Sequence, residues 1–175
     1  MNADRNTVLY VHAYQSPIGR LHIAVDRIGR LHRLSFREFG DELAGFALED
    51  NKYACGEVEY QLDEYFEGKR HRFTVEVMLS GTAFQLSVWN RLMKVQYGDT
   101  ITYGALARKI GRREAARAVG NAVASNPTPI VIPCHRVVPA SGGIGSYALR
   151  TTSGGGSMKE HLLDLEGSLA KIVAA

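Results

Sequence analysis

Residues 103–124 read YGALARKIGRREAARAVGNAVA, and the parsing of this stretch decides the fold of the second half of the chain. Tyr103 to Ile110 has the spacing of a short helix that Gly111 stops. Arg112 to Ala124 makes a second helix with Ala115, Ala118, Val119 and Ala122 on its inner face. Two helices joined at a tight glycine turn are a helix-turn-helix candidate. The second helix is rich in small residues (Ala115, Ala116, Ala118, Gly120, Ala122), so its backbone can approach another surface closely, while Arg112, Arg113 and Arg117 supply positive charge. A nucleic-acid groove fits this description. So does a helix packed on its neighbours with its arginines in water.

Working outward, Thr82 and Gln85 form a capping box before Phe84, Val88, Trp89 and Leu92, which share one face of a helix ending near Met93. Tyr97-Gly98-Asp99-Thr100 is a turn. Ser157 and Glu160 form a second capping box, opening a last helix through Leu162, Leu163 and Leu165 that Gly167 ends. Upstream of Ser80-Gly81 the pattern changes. Val8 to Tyr14, Leu21 to Asp26 and Leu31 to Phe36 are short runs rich in apolar and β-branched residues, separated by Ser16-Pro17-Ile18-Gly19 and by Gly29. They read as an antiparallel meander. Lys52 to Phe66 carries helical spacing through Val58, Leu62, Tyr65 and Phe66, and Phe73 to Leu79 is a further strand candidate. The expected fold is α+β. A small N-terminal α+β domain with an antiparallel sheet covers residues 1–80, and a C-terminal winged-helix-like domain with the helix-turn-helix covers residues 81–175.

A chain of 175 residues with 45% hydrophobic content can form packed cores. Residues 1–80 carry 10 Lys and Arg against 13 Asp and Glu, whereas residues 81–175 carry 11 against 5. The net charge of +3 therefore conceals a basic second half suited to a polyanion. Two cysteines do not make a disulfide framework, and no apolar run is long enough to span a bilayer or to resemble a secretory leader. An intracellular, cytoplasmic protein without membrane association is expected.

The candidate chemistry centres on Ile130-Val131-Ile132-Pro133-Cys134-His135-Arg136. Pro133 biases Ile132 toward extended backbone, so a buried strand running up to Cys134 is expected. A thiol beside an imidazole and a guanidinium can be held as thiolate. Neighbours on a strand point to opposite faces, so Cys134 and His135 share a proton only if the chain turns there or a water bridges them. His135 needs an acidic partner to fix its tautomer, and spacing leaves Asp164 and Glu166 both open. His12, His22, His32 and Cys55 lack the spacing of a compact zinc site, so neither a metal nor a cofactor is expected.

Further landmarks join these: Ser16-Pro17-Ile18-Gly19, Tyr65-Phe66-Glu67-Gly68, Gly81-Thr82-Ala83-Phe84-Gln85, Val88-Trp89, Tyr97-Gly98-Asp99-Thr100, Thr102-Tyr103-Gly104, Ala116-Arg117-Ala118-Val119-Gly120 and Asn126-Pro127. With Pro133-Cys134-His135-Arg136-Val137-Val138 and Leu162-Leu163-Asp164-Leu165-Glu166-Gly167, the set resembles the O6-alkylguanine-DNA alkyltransferase family, in order and over nearly the whole chain. The resemblance implies a DNA repair enzyme that moves the alkyl group of O6-alkylguanine, and of O4-alkylthymine, irreversibly onto Cys134. In that reading His135 is the base acting through a water, Glu166 is the carboxylate that orients it, and Asn126 braces the turn before the active-site strand. Tyr103 helps rotate the nucleotide and hydrogen-bonds the departing base, and Arg117 fills the gap in the stack. Ala115, Ala116, Gly120 and Arg136 fall on the implied DNA-contacting surface, and Val137, Val138, Tyr147 and Ala148 on the implied alkyl pocket. The implied partner is double-stranded DNA containing O6-alkylguanine, met through the minor groove by a monomer.

Other classes fit less of the pattern. A protein that binds alkylated bases without removing them has no need of Cys134. A helix-turn-helix regulator gives no reason for Cys134, His135 and Glu166 to occur together. A Cys-His hydrolase needs an oxyanion hole and turns over repeatedly. The family pattern is broken after Tyr147, where residues from Ala148 to about Ser153 are interposed before Gly154-Gly155-Gly156. Such a loop reads either as a wider pocket that tolerates bulky alkyl groups or as a surface insertion.

Overall fold

The computed structural model describes residues 7–145 and 157–173, and the chain divides into two compact units, Met1–Leu79 and Ser80–Ala175. In the first unit, β1 (Val8–Ser16), β2 (Gly19–Val25) and β3 (Leu31–Ser35) pair antiparallel, as the spacing of their apolar runs predicts. The β1–β2 connection holds only Pro17 and Ile18, and Gly19 takes φ +125°, a conformation that favours glycine. A fourth strand, β4 (Ala47–Asp50), joins the other edge of β1 in parallel, so the sheet is mixed and ordered β3-β2-β1-β4. All four of its residues are exposed, so it has no apolar pattern by which to recognise it.

Helix α1 (Lys52–Phe66) packs on β1 and β2. Asn51 caps it by accepting from the Ala54 N–H at 3.1 Å, and Cys55, Val58, Leu62 and Tyr65 form its buried stripe. The strand expected over Phe73 to Leu79 is a correction: it reduces to a single bridge, with Leu31 donating to the Glu76 carbonyl and Met78 to the Leu31 carbonyl. The buried Gln61 side chain takes the place of a ladder there, since its Oε1 accepts from the Thr74 N–H at 2.8 Å and its Nε2 donates to Thr74 Oγ1 at 2.9 Å.

In the second unit α2 (Ala83–Leu92) opens on the expected Thr82/Gln85 capping box and buries Val88, Trp89 and Leu92. Trp89 Nε1 donates to the Ala122 carbonyl at 2.7 Å, which ties α2 to the helix-turn-helix. That motif consists of α3 (Tyr103–Lys109), capped by Thr102, and α4 (Ala116–Ala124). Gly111 at φ +73° ends α3, with the Arg112 N–H returning to the Ala107 carbonyl. α4 starts four residues later than its sequence pattern suggests, because Arg112 to Ala115 form a turn closed by the Ala115 N–H on the Arg112 carbonyl. Its inner face keeps Val119 and Ala122, gains Val123, and leaves Ala118 exposed.

Strands β5 (Ile101–Thr102) and β6 (Val137–Val138) pair in parallel. α5 (Met158–Leu165) opens on the Ser157/Glu160 capping box, and Glu166 caps its C-terminus before Gly167 at φ +68°. A short α6 (Leu169–Val173) follows, which the sequence pattern did not reveal. Among the described residues no helix is long and apolar enough to cross a membrane.

Candidate active site

The strand expected over Ile130 to Ile132 is replaced by a compact loop. Pro127 and Pro129 each remove a backbone donor, Ile130 sits at φ +75°, and the Ile132 N–H turns back to the Thr128 carbonyl. Asn126 holds this loop from inside: its Oδ1 accepts from the Thr128 N–H at 3.0 Å and its Nδ2 donates to the Ile132 carbonyl at 2.7 Å. The loop delivers Cys134 to the start of a 3-10 turn, Cys134–Arg136, in which all three residues are buried. The chain thus turns at the cysteine, one of the two arrangements that let Cys134 and His135 cooperate.

Immediately after this turn, β6 pairs with β5, whose next residue is Tyr103. That register brings Tyr103 near enough to Cys134 for their charges to interact. Burial pushes the Tyr103 pKa up, and the charge of Cys134 adds to the rise. On its other side the Tyr103 ring faces Gly120 of α4, where an added Cβ would lie 3.8 Å from the ring.

Behind the thiol lies a buried charged cluster built from three separate segments. Glu166 Oε1 accepts from His135 Nε2 at 2.8 Å and from Arg136 Nη2 at 2.8 Å, and Oε2 accepts from Arg136 Nε at 2.9 Å and from the Gly98 N–H at 3.3 Å. Burial alone would raise the Glu166 pKa, but the hydrogen bonds from His135 and Arg136, with the Arg136 charge, outweigh it and hold the carboxyl well below the usual carboxylate range. Burial also pushes the His135 pKa down, and Glu166 offsets this only in part, which favours the neutral imidazole. An ionised Glu166 requires the proton on Nε2, which leaves Nδ1 with its lone pair. His135 Nδ1 is buried and has no hydrogen-bond partner among the described residues.

Asp164, the other carboxylate that spacing left open, is exposed. Arg136, expected on the DNA-contacting surface, is 6% exposed, and its guanidinium serves Glu166 and the Val95 carbonyl. The buried carboxylate needs a fixed cation, and Arg136 supplies it. Arg117 lies exposed in the first turn of α4, with Ala115, Ala116 and Gly120 partly exposed around it. Val137 and Val138 are buried. Tyr147 and Ala148 lie outside the described residues.

Sequence reasoning missed Lys159. It is 1% exposed, its Nζ donates to the Val137 carbonyl at 2.6 Å, and burial lowers its pKa to about 8 against the opposing pull of Cys134. Its signal was present in the spacing: Lys159 falls three and four residues before Leu162 and Leu163 and seven before Glu166, on the inward face of α5. Among the described residues no cluster of His, Cys, Asp and Glu could hold a metal ion.

Comparison with known proteins covers both units. Residues 9–79 match the ribonuclease-like domain, and residues 83–168 the DNA binding domain, of 6-O-methylguanine DNA methyltransferase. The methylated-DNA–protein-cysteine methyltransferase of Methanosarcina acetivorans is 40% identical over 91% of this chain and 99% of its own. That of Mycobacterium leprae is 38% identical over 91% and 93%. The fold is similar to that of Mycobacterium tuberculosis OGT solved in complex with DNA, with a TM-score of 0.78 at 36% identity over 91% of this chain and 94% of that one.

Proposed function

The chain belongs to the 6-O-methylguanine DNA methyltransferase family, and on that premise we propose that Cys134 is the acceptor and His135 the base that activates it. The protein binds DNA and repairs it by alkyl transfer to a cysteine of its own. The observation that carries our assignment is the imidazole of His135, pinned through Nε2 to Glu166 while its buried Nδ1 keeps a free lone pair one residue from the thiol.

In the proposed step the thiol proton passes to His135 Nδ1, directly or through one water, and the sulfur attacks the alkyl carbon of O6-alkylguanine. The S–C bond forms as the C–O6 bond breaks, and the bonding pair leaves on the base. The Tyr103 hydroxyl donates a hydrogen bond to the departing guanine. The Lys159 ammonium stabilises negative charge on sulfur before attack. Imidazolium formed at His135 is stabilised by Glu166.

O6 is engaged in pairing within a duplex, so the nucleotide must leave the stack. A poorly paired alkylated base lowers that cost from the few kcal/mol of a normal pair. We place the helix-turn-helix against the minor groove, with Arg117 entering the vacated stack and the small residues Ala115, Ala116 and Gly120 letting the backbone come close. A monomer acting in the cytoplasm is sufficient for this chemistry.

The product is a thioether without a good leaving group. Burial and nearby carboxylates push the Cys55 pKa up to about 12, which makes it a poor resolving thiol. One molecule therefore performs one transfer. Incubation with excess duplex carrying radiolabelled O6-methylguanine tests this: label on the protein is expected to saturate at one methyl per chain. Continued turnover would contradict the assignment.

A further inference from the structure

The turn at Tyr97-Gly98 grips the end of α5 from two directions. The Tyr97 hydroxyl donates to the Leu165 carbonyl at 2.9 Å, one of the last helical carbonyls and so without a partner inside the helix. One residue on, the Gly98 N–H donates to Glu166 Oε2 at 3.3 Å, so main chain and carboxylate are held by adjacent residues. Gly98 has φ +77°, and a Cβ there would lie 3.0 Å from the Glu166 carbonyl oxygen. Only glycine meets both demands without strain.

The same turn also holds the cation of the cluster. Arg136 Nη1 donates to the Val95 carbonyl at 2.6 Å, and the Arg136 guanidinium carbon stands 6.0 Å from the centre of the Tyr97 ring. The Asp99 N–H closes the turn on the Gln96 carbonyl at 3.1 Å. Residues 95–98 thus fix the carboxylate, its helix and its guanidinium partner together.

We infer that the Tyr97-Gly98 turn is a positioning device for alkyl transfer, locking Glu166 onto His135 Nε2 and so keeping Nδ1 free to take the thiol proton. The inference rests on the proposed roles of Cys134, His135 and Glu166. Loss of the grip lets the helix end drift, and the imidazole then samples its other tautomer, in which Nδ1 already carries hydrogen.

The test compares Tyr97→Phe, Gly98→Ala, Glu166→Gln and the double variant Tyr97→Phe/Glu166→Gln. It reads single-turnover methyl transfer, duplex affinity, thermal melting and nitrogen NMR of the His135 ring. Tyr97→Phe is expected to slow transfer about tenfold with duplex affinity unchanged, and to turn a ring protonated at Nε2 into a mixture of tautomers. In the Glu166→Gln background it should slow transfer by less than about twofold, because the device has lost what it positions. Equal slowing in both backgrounds, or a wild-type rate in Tyr97→Phe beside a slow Glu166→Gln, overturns the inference and leaves the catalytic assignment standing. A wild-type rate in Glu166→Gln removes that assignment, and the inference with it. If Gly98→Ala does not fold, the Tyr97→Phe rate and tautomer decide alone.

Discussion

Both units contain a carboxylate held by an arginine and a histidine, and they use it differently. In the first, Asp26 accepts from the Ile28 and Arg30 N–H groups at 3.1 and 3.0 Å and from Arg30 Nε at 2.7 Å, with His32 Nε2 at 3.3 Å. Every partner comes from the same seven-residue turn, and Arg30 and His32 keep 32% and 17% of their side-chain surface in solvent. In the second, Glu166 gathers partners from residues 98, 135 and 136, and the side chains of His135 and Glu166 are fully buried. The first arrangement closes a β-hairpin. The second fixes a tautomer beside a thiol, which requires a dry setting and parts brought from distant sequence.

The two cysteines sharpen the contrast. Cys55 lies among carboxylates, and its Sγ is 3.7 Å from the Tyr10 carbonyl. Cys134 lies with Lys159, Tyr103 and His135. Cys134→Ser is expected to reduce methyl transfer to the detection limit with duplex affinity retained, whereas Cys55→Ser leaves the single-turnover rate unchanged. Equal losses would dissolve the distinction between the units.

Next in size is stability. Removing one member of a buried ion pair leaves its partner charged and dry, so Glu166→Ala should cost about 3–5 kcal/mol in urea unfolding. Asp26→Ala loses a more hydrated cluster and should cost about 1–3 kcal/mol. An Asp26 penalty as large as that of Glu166 would show that burial does not separate the two sites.

Acid provides a third comparison. His135 has a lowered pKa in the fold, so below about pH 6.5 the unfolded chain binds a proton that the native chain refuses, and stability falls as pH drops from there toward the folded value. The Glu166 pKa is also lowered, so its contribution is complete above about pH 4.3 and is lost as pH falls toward its folded value. His135→Gln should remove the first loss and keep the second, in urea titrations at stepped pH. The fall in transfer rate of the native protein on acidification should be centred below the ordinary imidazole value of about 6.5, because burial lowers the His135 pKa.

The smallest effect concerns Lys159. With a folded pKa of about 8 and an unfolded value of about 10, the unfolded chain holds more protons between them, so stability rises with pH across that window. Lys159→Met should flatten the rise. A curve unchanged by the substitution would mean that Lys159 is not the buried cation.

Legibility in the sequence followed the range of the interactions. The meander, α1, both capping boxes and the glycine that ends α3 were all readable, because each depends on residues within a few positions. Expectations failed where a side chain from elsewhere overrode local preference. Gln61 took the backbone groups that would have made a strand of Phe73 to Leu79, and Asn126 bent the apolar run before Cys134. β4 had no apolar alternation to reveal it, and the turn before α4 shortened that helix by four residues at its start. In the site, family resemblance pointed to Cys134, His135 and Glu166, while spacing alone could not choose Glu166 over Asp164. Arg136 was assigned to DNA because nothing local showed that a carboxylate thirty residues away needed it.

The most direct test is peptide mapping by mass spectrometry after the reduced protein meets duplex DNA containing O6-methylguanine. The account predicts one methyl group, on the peptide containing Cys134, and none on that containing Cys55. A folded protein that repairs the duplex while Cys134 stays unmodified would contradict it.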